Sequence, residues 1–195
     1  MKHFLLSISI LIAFKTGFSQ SDLTPHYFKE IGLSIKVPSK FEIVESDEDE
    51  KLRLKGEKLL EGANNVQIDA SSMKNLLSIK QGQFNYMNIT VTPYKETSED
   101  EWEKQNKEVK NMLYKSFVEK VTLQNIDTTS TSINVDGVLF DRFEMTIRIN
   151  SSMTMKMLLL SKFYKGYDFG IAYTYLDKAI GKELDNIVHN AKFEK

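Results

Sequence analysis

Tyr167-Asp168-Phe169-Gly170-Ile171-Ala172-Tyr173-Thr174-Tyr175 alternates large apolar side chains with small or polar ones. A period of two marks a strand with one buried face, because successive side chains on a strand point to opposite sides. Just before it, Lys165-Gly166 reads as a tight turn, and Met153, Met155, Met157, Leu159 and Phe163 read as the apolar face of the preceding strand. Asn150-Ser151-Ser152 is a second turn. Ahead of that turn, Leu139, Phe143, Met145, Ile147 and Ile149 form an apolar face with Arg142, Glu144, Thr146 and Arg148 opposite. Asp136-Gly137 joins this strand to one holding Ile133 and Val135. Residues 128–175 therefore predict an antiparallel meander with one continuous apolar face.

The flanks are helical. Downstream, Ile180, Leu184, Ile187, Val188 and Ala191 share a stripe at helical spacing, with Asp177 placed as cap and Phe193 tucked in behind. Upstream, Ser98 with Glu101 forms a capping box, and Glu99 and Asp100 suit the positive end of the helix dipole. Trp102, Val109, Met112, Leu113 and Phe117 then line one helix face. Further back, 76–80 and 84–91 read as strands around Gln81-Gly82-Gln83, the second ending at Pro93. Residues 51–66 read either way, because Gly56 and Gly62 weaken a helix that Leu52, Leu59, Leu60 and Ala63 would line. Leu33–Val37 alternates as a strand, and Pro38-Ser39-Lys40 breaks it before Phe41–Val44 resumes, which predicts a kinked edge strand or hairpin. Residues 20–30 read as a lead-in. Strands and helices are segregated, so the fold class is α+β, a mainly antiparallel sheet of about six or seven strands flanked by helices.

Gly32-Leu33-Ser34-Ile35-Lys36-Val37-Pro38-Ser39-Lys40-Phe41 is similar to the opening of PsbP-like domains: glycine, apolar strand, proline, bulky residue. The order downstream also resembles them. A strand ends near Pro93, an acidic-capped helix follows, a strand runs to Asp136-Gly137, and Lys165-Gly166-Tyr167-Asp168-Phe169 lies in the meander before a closing helix that ends in Phe193. The resemblance covers most of 27–194. It implies a six- or seven-stranded antiparallel sheet between helices, an α/β/α sandwich. The family's members include an extrinsic photosystem subunit, a nuclear Ran-binding protein and many exported bacterial proteins. What they share is docking rather than a catalytic motif.

The N-terminus carries Lys2 and His3, an apolar stretch over 4–14, and Gly17 and Ser19 ahead of Gln20. These are the three parts of a secretory signal, with cleavage between Ser19 and Gln20. Eleven apolar residues at about 1.5 Å each fall short of a ~30 Å hydrocarbon core, so cleavage is expected over retention as an anchor. The chain divides into a signal peptide, 1–19, and one α+β domain, 20–195, located in the periplasm or outside the cell. With no cysteine there is neither a lipoprotein anchor nor a disulfide, and packing alone must hold the domain. Of 26 basic and 27 acidic side chains, cleavage removes Lys2 and Lys15, leaving 24 against 27. Such a balance carries no basic footprint for nucleic acid. After cleavage no segment is apolar for long enough to insert stably in a membrane.

No chemical constellation stands out. Met153, Met155 and Met157 are soft donors of the kind that select Cu(I), yet on a strand they share a face with Leu159 and Phe163, where methionine ordinarily fills a core. The histidines, His3, His26 and His189, have no third partner at metal spacing. No nucleophile elbow is present, and the acidic pairs belong to charged faces or loops. The run Asp47-Glu48-Asp49-Glu50 lacks the alternating ligands and glycine of a calcium loop and reads as solvated loop. Asn88 and Asn150 open Asn-x-Ser/Thr triplets, and the 167–175 strand has the aromatic content of a cleft wall. The expectation is a non-enzymatic module with no cofactor that docks on another envelope protein. The alternative is a carrier of a small molecule, or less favourably of a soft metal, in a cleft between sheet and helices. Intact mass of the exported protein under denaturing spray is expected to begin at Gln20; a mass beginning at Met1 contradicts the signal reading.

Overall fold

Asp136 and Gly137 sit at φ 50° and 90°, and Lys165 and Gly166 at 50° and 81°, the paired left-handed conformations of a type I′ turn. Such turns tie strands tightly, and here they build the larger of two sheets. The computed structural model describes residues 22–94, 98–120 and 124–194; the expected signal segment, with Ser19 and Gln20, lies outside them. In chain order the elements are β1 (Leu23–Phe28), β2 (Leu33–Pro38), β3 (Glu42–Ile43), α1 (Ser46–Asn64), β4 (Lys74–Gln81), β5 (Asn85–Pro93), α2 (Glu99–Lys120), β6 (Asn125–Val135), β7 (Val138–Arg148), β8 (Thr154–Tyr164), β9 (Tyr167–Tyr175), α3 (Lys178–His189) and β10 (Lys192–Phe193). The large sheet runs β3-β4-β5-β9-β8-β7-β6 and the small one β1-β2-β10, with every pair antiparallel. The fold is α+β, with a seven-stranded antiparallel sheet between helices.

The single apolar face expected of the meander is corrected to two. Tyr173 lies across from Met87 and Leu158, and Ile171 from Ile89 and Leu160. These side chains meet Leu33, Ile35, Leu184 and Val188 in the main core, beneath α3 and β2. Phe143, Met145 and Ile147 point to the opposite face, where they pack with Phe117 and Leu113 of α2. The reason is arithmetic. A two-residue turn pairs Tyr164 with Tyr167, so odd positions of β9 share a face with even positions of β8. Leu158, Leu159 and Leu160 accordingly divide between two cores. Leu139, expected inside, is 57% exposed, and its neighbour Phe140 is buried instead, edge-on to Phe169 at 5.4 Å.

Three further expectations are corrected. The lead-in over 20–30 contains β1, which pairs with β2 along all six residues. The stretches either side of Pro38 are not one kinked strand, because β2 belongs to the small sheet and β3 to the edge of the large one. The acidic run 47–50 is the first turn of α1, where carboxylates suit the helix dipole. The caps hold as expected. Ser98 Oγ accepts from Glu101 N at 3.2 Å, and Asp177 accepts from Ala179 N and Ile180 N at 2.7 and 3.3 Å.

α3 packs closely on β9. A Cβ built on Gly181 would lie 2.4–2.6 Å from the Tyr175 ring. Alanine is favoured over glycine inside a helix by about 1 kcal/mol, yet Gly181→Ala is expected to destabilise by about 1 kcal/mol net, since overpacking costs ~1–3 kcal/mol. In a Tyr175→Ala background the same change should become stabilising. Denaturant melts of the four proteins check both signs.

Candidate docking groove

Beside α3 the small sheet stops short. β2 bonds β1 over its whole length, but β10 reaches only Leu33 and Ser34. Two bonds set which way each β2 residue faces. Ser39 N donates to Asp22 O at 2.8 Å, so odd residues bond toward β1; Glu194 N donates to Gly32 O at 2.9 Å, so even residues bond toward β10. Past the end of β10, the backbone N–H and C=O of Lys36 therefore face the gap between β2 and α3.

That gap is a groove of about 670 Å³, lined by Leu23, Lys36, Pro38, Asn186, Ile187 and Asn190, among others. Lys40 pairs with Glu183 at one end, and Lys192 reaches Asp136 Oδ1 at 2.9 Å at the other. Lys36 has neither ion pair nor hydrogen bond in its side chain among the described residues. Asn186 and Asn190 stand one helical turn apart, with Asn190 Nδ2 donating to Asn186 O at 2.8 Å. A smaller hollow of about 310 Å³ continues past Pro25, His26 and Tyr27. Among the described residues His26 Nε2 is buried there without a partner, and burial holds its imidazole below the ordinary range. The groove thus offers an open strand edge, amide groups, lysines and an apolar floor. That is chemistry suited to an extended anionic segment.

Sequence reading missed this site. Its signals were the lysine on the polar side of β2 and the Asn186/Asn190 pair at i, i+4 on α3, both ordinary for solvated faces. The residues singled out in the sequence lie elsewhere. Met155 and Met157 pack against Ile147 and Met145 in the second core, while Met153 is exposed before β8 begins. The three thioethers are therefore not brought to one open point. His189 Nδ1 lies 2.7 Å from Asp185 O, remote in sequence and element from His26 on β1. Asn150 Oδ1 accepts from Ser152 N in its turn, and Asn88 is half-buried on β5. The odd residues of β9 are core, as the plain reading of that strand had it.

The other face of the large sheet holds the polar interior. Asp49, from the acidic run, accepts from Ser78 Oγ at 2.5 Å, Tyr86 Oη at 2.6 Å and Asn75 Nδ2 at 2.8 Å. Hollows of about 340 and 160 Å³ flank this cluster. Burial, then the bond to Asp49, pushes the Tyr86 phenol well above its usual range, so it stays a neutral donor. Asn106 bridges Ser161 and Asp141 beneath α2, and Trp102 Nε1 donates to Asp168 Oδ1 at 2.8 Å. Asp141 and Asp168 are engaged by side chains of α2, and Asp49, on α1, by side chains of β4 and β5.

No protein-family model matches the chain, and no curated protein matches it. Among solved structures, a cyanobacterial PsbP from Synechocystis sp. PCC 6803 is similar at 8% identity and TM-score 0.48, over 91% of this chain and 96% of that one. LpqN of Mycobacterium tuberculosis, involved in cell envelope biogenesis, is similar at 9% identity and TM-score 0.42, over 89% of this chain and 91% of that one. The seven-stranded antiparallel sheet between helices that the sequence implies is the arrangement found.

Burial raises the Asp168 carboxyl above the usual carboxylate range, and the indole bond opposes this only in part. A raised folded pKa means that the native state binds this proton more tightly than the unfolded chain does. The contribution to stability is present below the unfolded pKa, about 3.9, and is lost as pH rises through the folded value. Asp168→Asn keeps the acceptor for Trp102 and removes the charge. The variant is expected to be more stable than the parent at pH 7, with the gap closing as pH falls toward about 4; parallel melts across that window check it.

Proposed function

We propose that this chain is an exported, non-enzymatic docking module that takes an extended acidic segment of another envelope protein into the groove between β2 and α3. The observation that carries the reading is the exposed backbone pair of Lys36 beside an unpaired lysine side chain. An extended segment bonding to Lys36 continues the small sheet where β10 ends, and strand addition of this kind draws affinity from main-chain bonds and specificity from alternate side chains. Acidic side chains on that segment meet Lys36, and they compete with Glu183 and Asp136 for Lys40 and Lys192. Export follows from the reading of residues 1–19.

A second reading uses the same groove for a small anionic molecule. Its volume lies within the range of about 300–1,000 Å³ typical of ligand pockets. Native mass spectrometry separates the two, since a carrier retains an added mass that vanishes on denaturation.

The test is fluorescence anisotropy with a labelled peptide of alternating glutamate and valine. Binding should weaken by about tenfold or more in Lys36→Glu, an effect on the order of 1.4 kcal/mol, and should fall as salt rises. Equal binding by Lys36→Glu and the parent would remove the groove from consideration.

A further inference from the structure

The two ends of the large sheet are finished differently. β3, at one end, has two residues, and very short edge strands are a usual protection against edge pairing. β6, at the other, has eleven, with no proline or lysine, and its register with β7 runs unbroken from Asn125↔Arg148 to Val135↔Val138. From Thr128 to Val135 it carries no charge. Among the described residues no strand covers its outer side.

The outward groups can be assigned. Ile149 N donates to Met153 O at 2.9 Å, in register with the β7–β8 ladder, so odd residues of β7 bond β8 and even ones bond β6. Their partners on β6 are the odd residues. Ile126, Thr128, Ser130, Ser132 and Asn134 therefore turn their N–H and C=O outward.

This edge is complementary to itself. Antiparallel pairing about a two-fold axis at Ser130 sets Thr129 against Thr131, Thr128 against Ser132 and Ile126 against Asn134 of a second copy. Cross-strand Thr–Thr and Thr–Ser pairs are favourable, and the lone charge, Asp127, falls opposite Ile133, so no like charges meet. The axis stands perpendicular to the sheet, so each α2 lies on the same side of the joined sheet. Met112 and Ser116 of α2 contact Asn64 of α1. Tyr114 and Val118, two positions on, lie about 200° further round the helix. They face away from α1, toward the β6 side, and are 42% and 52% exposed.

We propose that two copies of this chain pair edge to edge through β6, centred on Ser130, with Tyr114 and Val118 of each α2 bordering the seam. β6 shares no residue with the β2–α3 groove, so the dimer and the docking reading stand or fall separately.

Sedimentation equilibrium of the exported chain should show the mass doubling between about 1 and 100 µM. Ser130→Pro removes an outward N–H and leaves the β6–β7 ladder whole, as proline on an edge strand permits. It should stay monomeric with a melting temperature, measured at the dilution where the parent is monomeric, within about 3 °C of the parent's. Thr131→Pro removes an inward N–H and should melt lower. Because the chain has no cysteine, Ser130→Cys gives one thiol at the axis. An antiparallel hydrogen-bonded pair has Cα atoms about 5.5 Å apart, within disulfide reach, so mild oxidation should cross-link it to itself. Ser71→Cys, in an exposed turn, should not cross-link. A parent that stays monomeric throughout, a Ser130→Pro variant that associates like the parent, or a dimer that Ser130→Cys fails to capture would each overturn the proposal.

Discussion

Where two residues turn a hairpin, the strands they join exchange parity, and most of this architecture depends on that constraint. With Val135 against Val138 and Tyr164 against Tyr167, side chains that alternate along one strand change sides relative to the next. The three-residue link at 150–152 keeps parity, since Ile147 pairs with Met155. The outcome is a sheet apolar on both sides, which one helix layer cannot cover. α3 with the small sheet closes one face and α2 with α1 closes the other. Both turns need a non-glycine residue at positive φ, Asp136 and Lys165, which an aspartate tolerates better than most.

Asp136 does more than turn the chain. Its Oδ1 accepts from Lys192 Nζ and its Oδ2 from Phe193 N at 2.8 Å. These bonds hold β10 against the end of the β6–β7 hairpin, where Phe193 meets Phe140, Phe169 and Tyr164 at 5.5–6.1 Å between ring centres. Anchored there, β10 crosses β2 at only two residues. The open backbone at Lys36 is thus a consequence of where the aromatic cluster pins the C-terminal strand, and the groove follows from core packing.

The meander turns, the α3 stripe and both helix caps were legible in the sequence because each rests on contacts within a few residues, and the size of the large sheet followed from its strands. The assignment of faces was not. Leu158-Leu159-Leu160 satisfies either parity, and only the pairing of Tyr164 with Tyr167 decides which leucine enters which core. β1 was hidden because Pro25, His26 and three exposed neighbours give no alternation, although its backbone pairs fully. Asp49 was hidden for the opposite reason. In a run of four acids it looks solvated, and only the approach of Ser78, Tyr86 and Asn75 from two strands half-buries and pairs it. The groove residues are ordinary surface types, and their meaning comes from the early end of β10, which no local pattern announces.

The two faces also differ in what fixes them. Under α3 the contact is mainly aromatic and aliphatic, with Tyr173 Oη also donating to Asp185 Oδ1 at 2.6 Å. Under α1 and α2 the contacts that fix position are hydrogen bonds: Asp49 to three donors, Asn106 between Ser161 and Asp141, Trp102 to Asp168. A hydrogen bond adds only about 1 kcal/mol net, whereas leaving a buried partner unmade costs about 1–3 kcal/mol. Such contacts therefore specify position more strongly than they add stability. The larger apolar core lies beneath α3, and on the other face polar contacts hold α1 and α2 in register where Phe117 and Leu113 also meet Phe143, Met145 and Ile147.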